Sequence, residues 1–493
     1  MLKRSNGLLL HISSLPGEYG IGDFGKEAYK FVDFLEKSGS KYWQILPLGI
    51  TGYGDSPYQS FSAFAGNPYF IDLDVLLEEG IITRGEIDRI NLNKNPGKVD
   101  YLHLYEGKME LLRKAYERGK KSLRKKLEDY YQENYHWLQE FSLYMAIKKA
   151  HGEKSWLEWD KDYRNWRSET VRTFVKRNQE EIFFWIFTQY YFENQWLRLK
   201  KYANDKGIEI IGDLPIYVSE DSADVWKNPE MFRLDENYRP ITVAGCPPDA
   251  FSSTGQLWGN PIYDWENMKD NGYRWWIKRI KHSFKLYDVL RIDHFRGFEA
   301  YWEVPYGEDT AMFGQWTKGP GIELFDVIKE ELGELNIIAE DLGYLTPEVE
   351  QLIKDSGFPG MKVLQFAFDP REESDYLPHN YTQNSIVYTG THDNHTVAGW
   401  TGNIPAEELA FAKKYFKMDR EEGFPWGMIR GAWSSVSKVA VAPMQDFLEL
   451  GDEARMNIPS TLGENWDWRM EKHHLSEALA RRIYDINRTY GRL

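Results

Sequence analysis

Four carboxylate-bearing segments stand at the ends of short apolar runs: Gly212-Asp213-Leu214-Pro215, Arg291-Ile292-Asp293-His294, Ala339-Glu340-Asp341 and His392-Asp393-Asn394. Side chains alternate along a strand, so Arg291 and Asp293 share one face while the apolar Ile292 takes the other. A buried carboxylate beside a guanidinium is held ionised, which suits a nucleophile. By the same parity Ile338 and Glu340 share a face, which makes Glu340 a better inward candidate than Asp341. A carboxyl in an aromatic-lined pocket keeps its proton near neutral pH, and that suits a general acid. One ionised and one protonated carboxyl are the machinery of glycosidic-bond cleavage, with Asp393 placed to bind sugar hydroxyls as the ring flattens toward an oxocarbenium ion. Any one Asp at a strand end is more often a cap or half of an ion pair. The argument for catalysis is the convergence of four such ends with Arg and His neighbours.

Competing chemistries fit the spacing less well. His294, His392 and His395 with nearby Asp residues suggest a binuclear metal hydrolase, but the first strand offers only His11 where such barrels supply a pair of histidines. Gly20-Ile21-Gly22-Asp23-Phe24-Gly25 matches a dinucleotide fingerprint in form only. Leu15-Pro16-Gly17 separates it from the preceding strand, and no acidic residue stands about 20 positions later. Asn394-His395-Thr396 fits a glycosylation sequon, without the export signal that would give it meaning.

The elements that must position these residues are short, near-continuous apolar runs with helical sequence between them. They are Gly7 to Ser13, Tyr42 to Leu48, Ile208 to Val218, Val289 to His294, Asn336 to Leu342, Met361 to Phe368, Ser385 to His392 and Arg455 to Ser460. Such runs read as parallel strands buried on both faces, and eight of them close a (β/α)8 TIM barrel with its working residues at the C-terminal strand ends. The expected fold class is therefore α/β. Between the second and third runs the period turns helical, as in Leu111, Leu112, Ala115 and Tyr116 and again in Ile182, Trp185, Ile186 and Tyr190. An inserted helical subdomain over approximately 73–180 accounts for it. Approximately 218–273 is rich in Pro, Gly, Asp and Ser and reads as loops over the barrel mouth. The whole of 1–493 is expected as one catalytic barrel enlarged by insertions.

Composition narrows the function classes. The 493 residues carry 61 basic and 76 acidic side chains, a net charge of −15 that argues against a nucleic-acid partner. One cysteine, Cys246, excludes a disulfide scaffold and fits a cytoplasmic location. The run Leu8-Leu9-Leu10 after Lys3 and Arg4 ends too soon for a secretory signal, and no stretch has the roughly 18 apolar residues of a membrane span. The 19 Trp, 31 Tyr and 26 Phe exceed ordinary core needs enough to suggest surfaces for ligands with apolar faces and polar edges, as sugar rings have.

With these residues assembled, the sequence resembles glycoside hydrolase family 77, the amylomaltases and disproportionating enzymes, over essentially its whole length. The motifs include Gly7-Leu8-Leu9-Leu10-His11-Ile12-Ser13-Ser14, Trp43-Gln44-Ile45-Leu46-Pro47, Ser56-Pro57-Tyr58, Pro247-Pro248-Asp249, Gln256-Leu257-Trp258-Gly259-Asn260-Pro261, Asn457-Ile458-Pro459 and Asn465-Trp466-Asp467-Trp468-Arg469. The four carboxylate segments belong to the same set. The resemblance implies a barrel without a C-terminal β-sandwich, transferring segments of α-1,4-glucans to the 4-hydroxyl of glucose or another malto-oligosaccharide by a retaining double displacement. It implies Asp293 as nucleophile, Glu340 as acid/base and Asp393 as transition-state stabiliser. Arg291, His294 and His392 would neighbour the reacting sugar, and Ser56, Tyr58, Asp213, Asp249, Gln256, Trp258 and Asn465 would line the donor and acceptor sites. No metal or organic cofactor is implied. An α-amylase-like hydrolase and a catalytically silent glucan-binding protein are the alternatives; the second needs a broken catalytic set, and the three carboxylates are all present.

Overall fold

The computed structural model describes residues 2–52, 54–248, 252–343 and 345–493. Twelve strands occur among them: β1 (Ser5–Leu9), β2 (Tyr42–Gln44), β3 (Glu209–Leu214), β4 (Thr242–Cys246), β5 (Gln256–Pro261), β6 (Val289–Ile292), β7 (Ala300–Pro305), β8 (Gln315–Lys318), β9 (Ile337–Ala339), β10 (Gly360–Val363), β11 (Ser385–Tyr388) and β12 (Val439–Pro443). Eight of these form a closed parallel barrel in the order β1, β2, β3, β6, β9, β10, β11, β12, with β12 pairing back onto β1. The (β/α)8 barrel read from the sequence is thus the fold.

The strands hold this arrangement because each is apolar on both faces. One set of side chains, Leu9, Ile211, Val289, Ile338, Met361, Val363, Ile386, Tyr388, Val439 and Val441, forms a single buried cluster, the packed barrel interior. The alternate set, including Leu8, Trp43, Ile210, Leu290, Val387 and Ala440, joins the larger cluster that packs under the helices. Parity therefore carries Asp213, Arg291 and Glu340 to the interior side, two residues beyond Ile211, Val289 and Ile338 respectively.

The eighth strand is not where the sequence suggested. Arg455 to Ser460 contains no strand; β12 is Val439–Pro443, with valines facing inward and small alanines facing the helices. The expected run is a loop at the mouth instead, where Arg455 and Asn457 bind Asp393. Residues 218–273 also differ from the expected loops, since they include β4 and β5. These pair antiparallel with each other and with β7 and β8 in a four-stranded sheet ordered β5-β4-β7-β8. Two of its strands lie beyond β6, so the region's own composition does not reveal their partners.

Between β2 and β3 the chain is largely helical, including Tyr101–Glu133, Tyr135–Ala150 and Gln179–Asp205. The first begins at Asp100, whose side chain accepts the His103 N–H. It buries Leu111, Leu112, Ala115 and Tyr116, the face anticipated from the period. Helix Gln179–Asp205 packs on the helix Lys26–Lys37 and on β3, so it also serves as the crossover that returns the chain to the barrel. No helix among the described residues is long and apolar enough to cross a membrane.

The barrel is latched at its seam by Arg492, which is fully buried. Its Nε donates to Trp433 O (2.7 Å), its Nη1 to Ser5 O (2.8 Å) and its Nη2 to Ser435 O (3.1 Å), so one guanidinium satisfies carbonyls beside both β1 and β12. Removing it strands those acceptors without water. Arg492→Ala should cost on the order of 3 kcal/mol, read as a lowered urea midpoint. Arg492→Lys should recover little because an ammonium lacks the planar fork; an unchanged midpoint in either variant would refute the latch.

Candidate active site

The mouth is organised around Arg291 on β6. Its Nη1 donates to both oxygens of Asp213 on β3 at 2.7 Å, its Nη2 lies 2.9 Å from Asp293 Oδ1, and its Nε donates to Met361 Sδ at 3.4 Å. Burial alone would disfavour charge on this guanidinium. The Asp213 and Asp293 carboxylates outweigh it and hold the group well above its ordinary value. Asp213 is fully enclosed, while Asp293 keeps part of its side chain open to the mouth.

Glu340, one residue past β9, is buried nearby. Its Oε2 accepts the His294 N–H at 2.7 Å and its Oε1 accepts the Leu342 N–H at 2.8 Å. Burial pushes its pKa up to about 7 against the opposing pull of Arg291 and the two N–H groups, with Asp293 adding to the rise. The backbone makes this possible at His294, which stands in the left-handed region (φ 52°, ψ 49°) and so turns its N–H onto the carboxylate. The His294 ring meets Trp258 edge-on at 4.7 Å, and burial, then Arg296, lowers its pKa to about 3, so the imidazole is neutral.

Asp341 has a separate task. It accepts the Met361 N–H at 2.6 Å and sits over Gly360, where a Cβ would come within 2.3 Å of the carboxylate. It therefore fixes the start of β10, which agrees with the parity that favoured Glu340.

Asp393 is held from several sides and remains half-exposed. Asn457 Nδ2 donates to its Oδ1 at 2.7 Å, Arg455 Nη2 donates to its carbonyl at 2.6 Å, and His392 Nε2 lies 3.3 Å from Oδ1. The His392 ring stacks on Tyr58 with centroids 5.1 Å apart, and Trp466 leans on both rings. Tyr58 closes the circuit by donating its hydroxyl to Asp213 Oδ2 at 2.7 Å.

The other residues singled out in the sequence fall into different places. Ser56 Oγ accepts the Tyr58 N–H at 3.2 Å, a local turn that aims the tyrosine. Trp258 Nε1 donates to Gln256 Oε1 at 3.2 Å at the start of β5. Asn465 spends both ends of its amide on its own loop, accepting from Ile458 N and donating to Thr461 O and Oγ1. Asp249 lies outside the described residues. Asn457, Arg455, Trp466 and His11 were not singled out for the site; Asn457 and Trp466 stood within quoted motifs, but nothing in their spacing disclosed which group they touch. His11 accepts the Leu46 N–H at Nδ1 (3.2 Å), and burial, followed by His392, lowers its pKa to about 3. Among the described residues no group of three or more His, Cys, Asp or Glu is arranged to hold a metal ion; His395 pairs with Asp452 at 2.7 Å instead.

Comparison with known proteins gives the family. The family model described as 4-alpha-glucanotransferase matches residues 10–475. A 4-alpha-glucanotransferase of Clostridium butyricum is 54% identical over 98% of this chain and 100% of its own. One of Thermus thermophilus is 48% identical over 96% of each chain. The structure of an amylomaltase from Streptococcus agalactiae in complex with acarbose superposes with a TM-score of 0.97 at 46% identity, covering 99% of this chain and 100% of that one. A closed parallel barrel whose mouth gathers these carboxylates, matched over its length by relatives of one activity, shows that the chain belongs to the 4-alpha-glucanotransferases of glycoside hydrolase family 77.

Proposed function

We propose that Asp293, Glu340 and Asp393 together move a segment of an α-1,4-glucan from a donor malto-oligosaccharide to the 4-hydroxyl of glucose or another glucan. The observation that carries this reading is the contrast between two neighbouring carboxyls. Asp293 is paired with Arg291 and open to the mouth, while Glu340 is buried with a pKa near neutrality. Glu340 protonates the glycosidic oxygen as Asp293 attacks the anomeric carbon. The donor's reducing-end fragment leaves, and a β-linked glycosyl ester remains on Asp293. Glu340, now ionised, takes the proton of the acceptor 4-hydroxyl, which displaces Asp293 and restores the α-linkage.

Asp393 carries the third role, meeting ring hydroxyls as positive charge develops, and Asn457 is the positioning residue that fixes its carboxylate. Arg291 and His392 flank the reacting sugar. Tyr58 and Asp213 shape the donor side; Trp258, Gln256, His294 and Asp249 belong to the acceptor side. Ser56 and Asn465 act by aiming the loops that carry their neighbours. We assign the protein to the cytoplasm, in keeping with its single cysteine.

Three experiments test these assignments. Incubation with maltotriose should yield both shorter and longer chains, and Asp293→Ala should keep glucan binding while losing the ladder; glucose and maltose alone would indicate a hydrolase. Because Glu340 works in its protonated form first and its pKa is raised to about 7, kcat/KM for maltotriose should fall as pH rises above that value. The limb should vanish when fluoride release from α-maltosyl fluoride is followed, since that leaving group needs no proton. Its persistence there would assign it to another residue. Asn457→Ala should lower kcat by roughly 10- to 100-fold, the worth of a hydrogen bond to a charged group, with KM and thermal midpoint little changed; a matching loss in stability would make its role structural.

A further inference from the structure

The four-stranded sheet beside the mouth lends Gln256 and Trp258 of β5 to the acceptor side, while β4, β7 and β8 have no part in the chemistry described so far. On one of its faces Glu303 accepts from Thr242, Gln315, Thr317 and Arg233. On the other face, strand register aligns Leu257, Gly245, Trp302 and Trp316 in a single row, running from β5 through β4 and β7 to β8.

Ala311 and Val304 cover the middle of this row at Gly245, and its β7–β8 end is aromatic, braced and partly open. Arg296 Cζ lies 3.9 Å from the centroid of the Trp316 ring, supporting one side of it, while the residue as a whole remains 43% exposed. Trp302 meets Trp316 edge-on at 5.3 Å and is itself pinned, its Nε1 donating to Ala311 O at 2.9 Å. The loop after β7 lies so close to Trp302 that a Cβ at Gly314 would stand 2.3 Å from the indole nitrogen. Phe313, next to that glycine, is 68% exposed. A tryptophan held rigidly on one side and partly exposed, with an exposed phenylalanine three residues before it in the chain, is a surface for a ligand that has a flat apolar face.

The row approaches the catalytic mouth at its β8 end. Arg296, whose guanidinium lies over Trp316, is two residues after His294, whose N–H holds Glu340. The strip therefore leads outward from the side where the acid/base stands, which is where the leaving fragment departs and the acceptor enters. We propose that Trp316, with the edge of Trp302 and with Phe313, forms a remote acceptor subsite, stacking on a glucose ring two or more units toward the reducing end from the transferred bond. This rests on the assignment of Glu340 as acid/base. The sugar's C–H face lies on the indole and its hydroxyls stay in water, so the contact rewards chain length without selecting any one hydroxyl pattern.

The test is an acceptor series of glucose, maltose, maltotriose and maltotetraose against one donor, using Trp316→Ala and, separately, Phe313→Ala. The ratio of kcat/KM for maltotetraose to that for glucose should drop about tenfold in Trp316→Ala. The loss should reside in KM, with a smaller drop in the same direction for Phe313→Ala. An equal change at every acceptor length, or none at any length in either variant, would overturn the subsite. Failure of the Glu340 assignment is separately visible, because it would alter the alkaline limb of the unsubstituted protein and leave the length series untouched.

Discussion

The fixed point of this molecule is a guanidinium inside a barrel. Arg291 is too deep to be solvated, so it must find counter-charges, and the strand register supplies them: Asp213 lies opposite it on β3, and Asp293 follows two residues later on its own chain. Neither contact survives a slip of one residue in β3 or β6, because that would turn the side chains toward the helices. The apolar interior below, including Ile211, Val289, Ile338 and Met361, sets that register. Core packing and site electrostatics are consequently one constraint, the lower layer fixing the orientation and the upper layer using it.

From that point the two reactive carboxyls acquire opposite characters through short-range differences. Asp293 touches the guanidinium and keeps access to the mouth. Glu340 feels the same charge, but it is enclosed beneath His294 and meets only backbone N–H groups, so desolvation prevails. A single left-handed residue, His294, links the two, since it follows Asp293 in sequence and hydrogen-bonds to Glu340. The separation of the proposed nucleophile and acid is thereby constrained by backbone conformation as well as by the Arg291–Asp293 contact.

Much of this was legible in the amino-acid sequence because it is periodic. Alternation along β6 and β9 assigned Arg291, Asp293 and Glu340 to one side and Asp341 to another, and apolar runs located seven of the eight barrel strands. What escaped depends on contacts that no period encodes. The strand Val439–Pro443 alternates valine with alanine and lacks the bulk that marked the other runs, since helices pack close against its outer face. Its place was given to Arg455 to Ser460, whose apolar and polar residues serve a loop that grips Asp393. Strands β4 and β5 were hidden because the sheet they join continues through β7 and β8, which lie past Asp293 in the chain. The roles of Asn457 and Trp466 required three-dimensional proximity.

The charge arrangement also gives Asp213 a task distinct from that of Asp293, the proposed nucleophile. A glycosyl transition state carries positive charge at the anomeric centre, so an unbalanced cation beside it would oppose the reaction. Arg291 is such a cation, and Asp213 takes it in a two-oxygen contact on the side away from the opening. Two other potential cations at the mouth are removed by burial: His11 and His294 both have pKa values lowered to about 3 and are neutral at physiological pH. Asp293 and Asp393 then remain as the partly exposed carboxylates of the mouth, the first oriented by a guanidinium whose charge Asp213 also meets. Tyr58 strengthens this division, since its hydroxyl bonds to Asp213 and its ring stacks on His392, which in turn contacts Asp393. Tyr58, His392 and Asp393 are in this way tied to the same buried ion pair that orients Asp293, the proposed nucleophile.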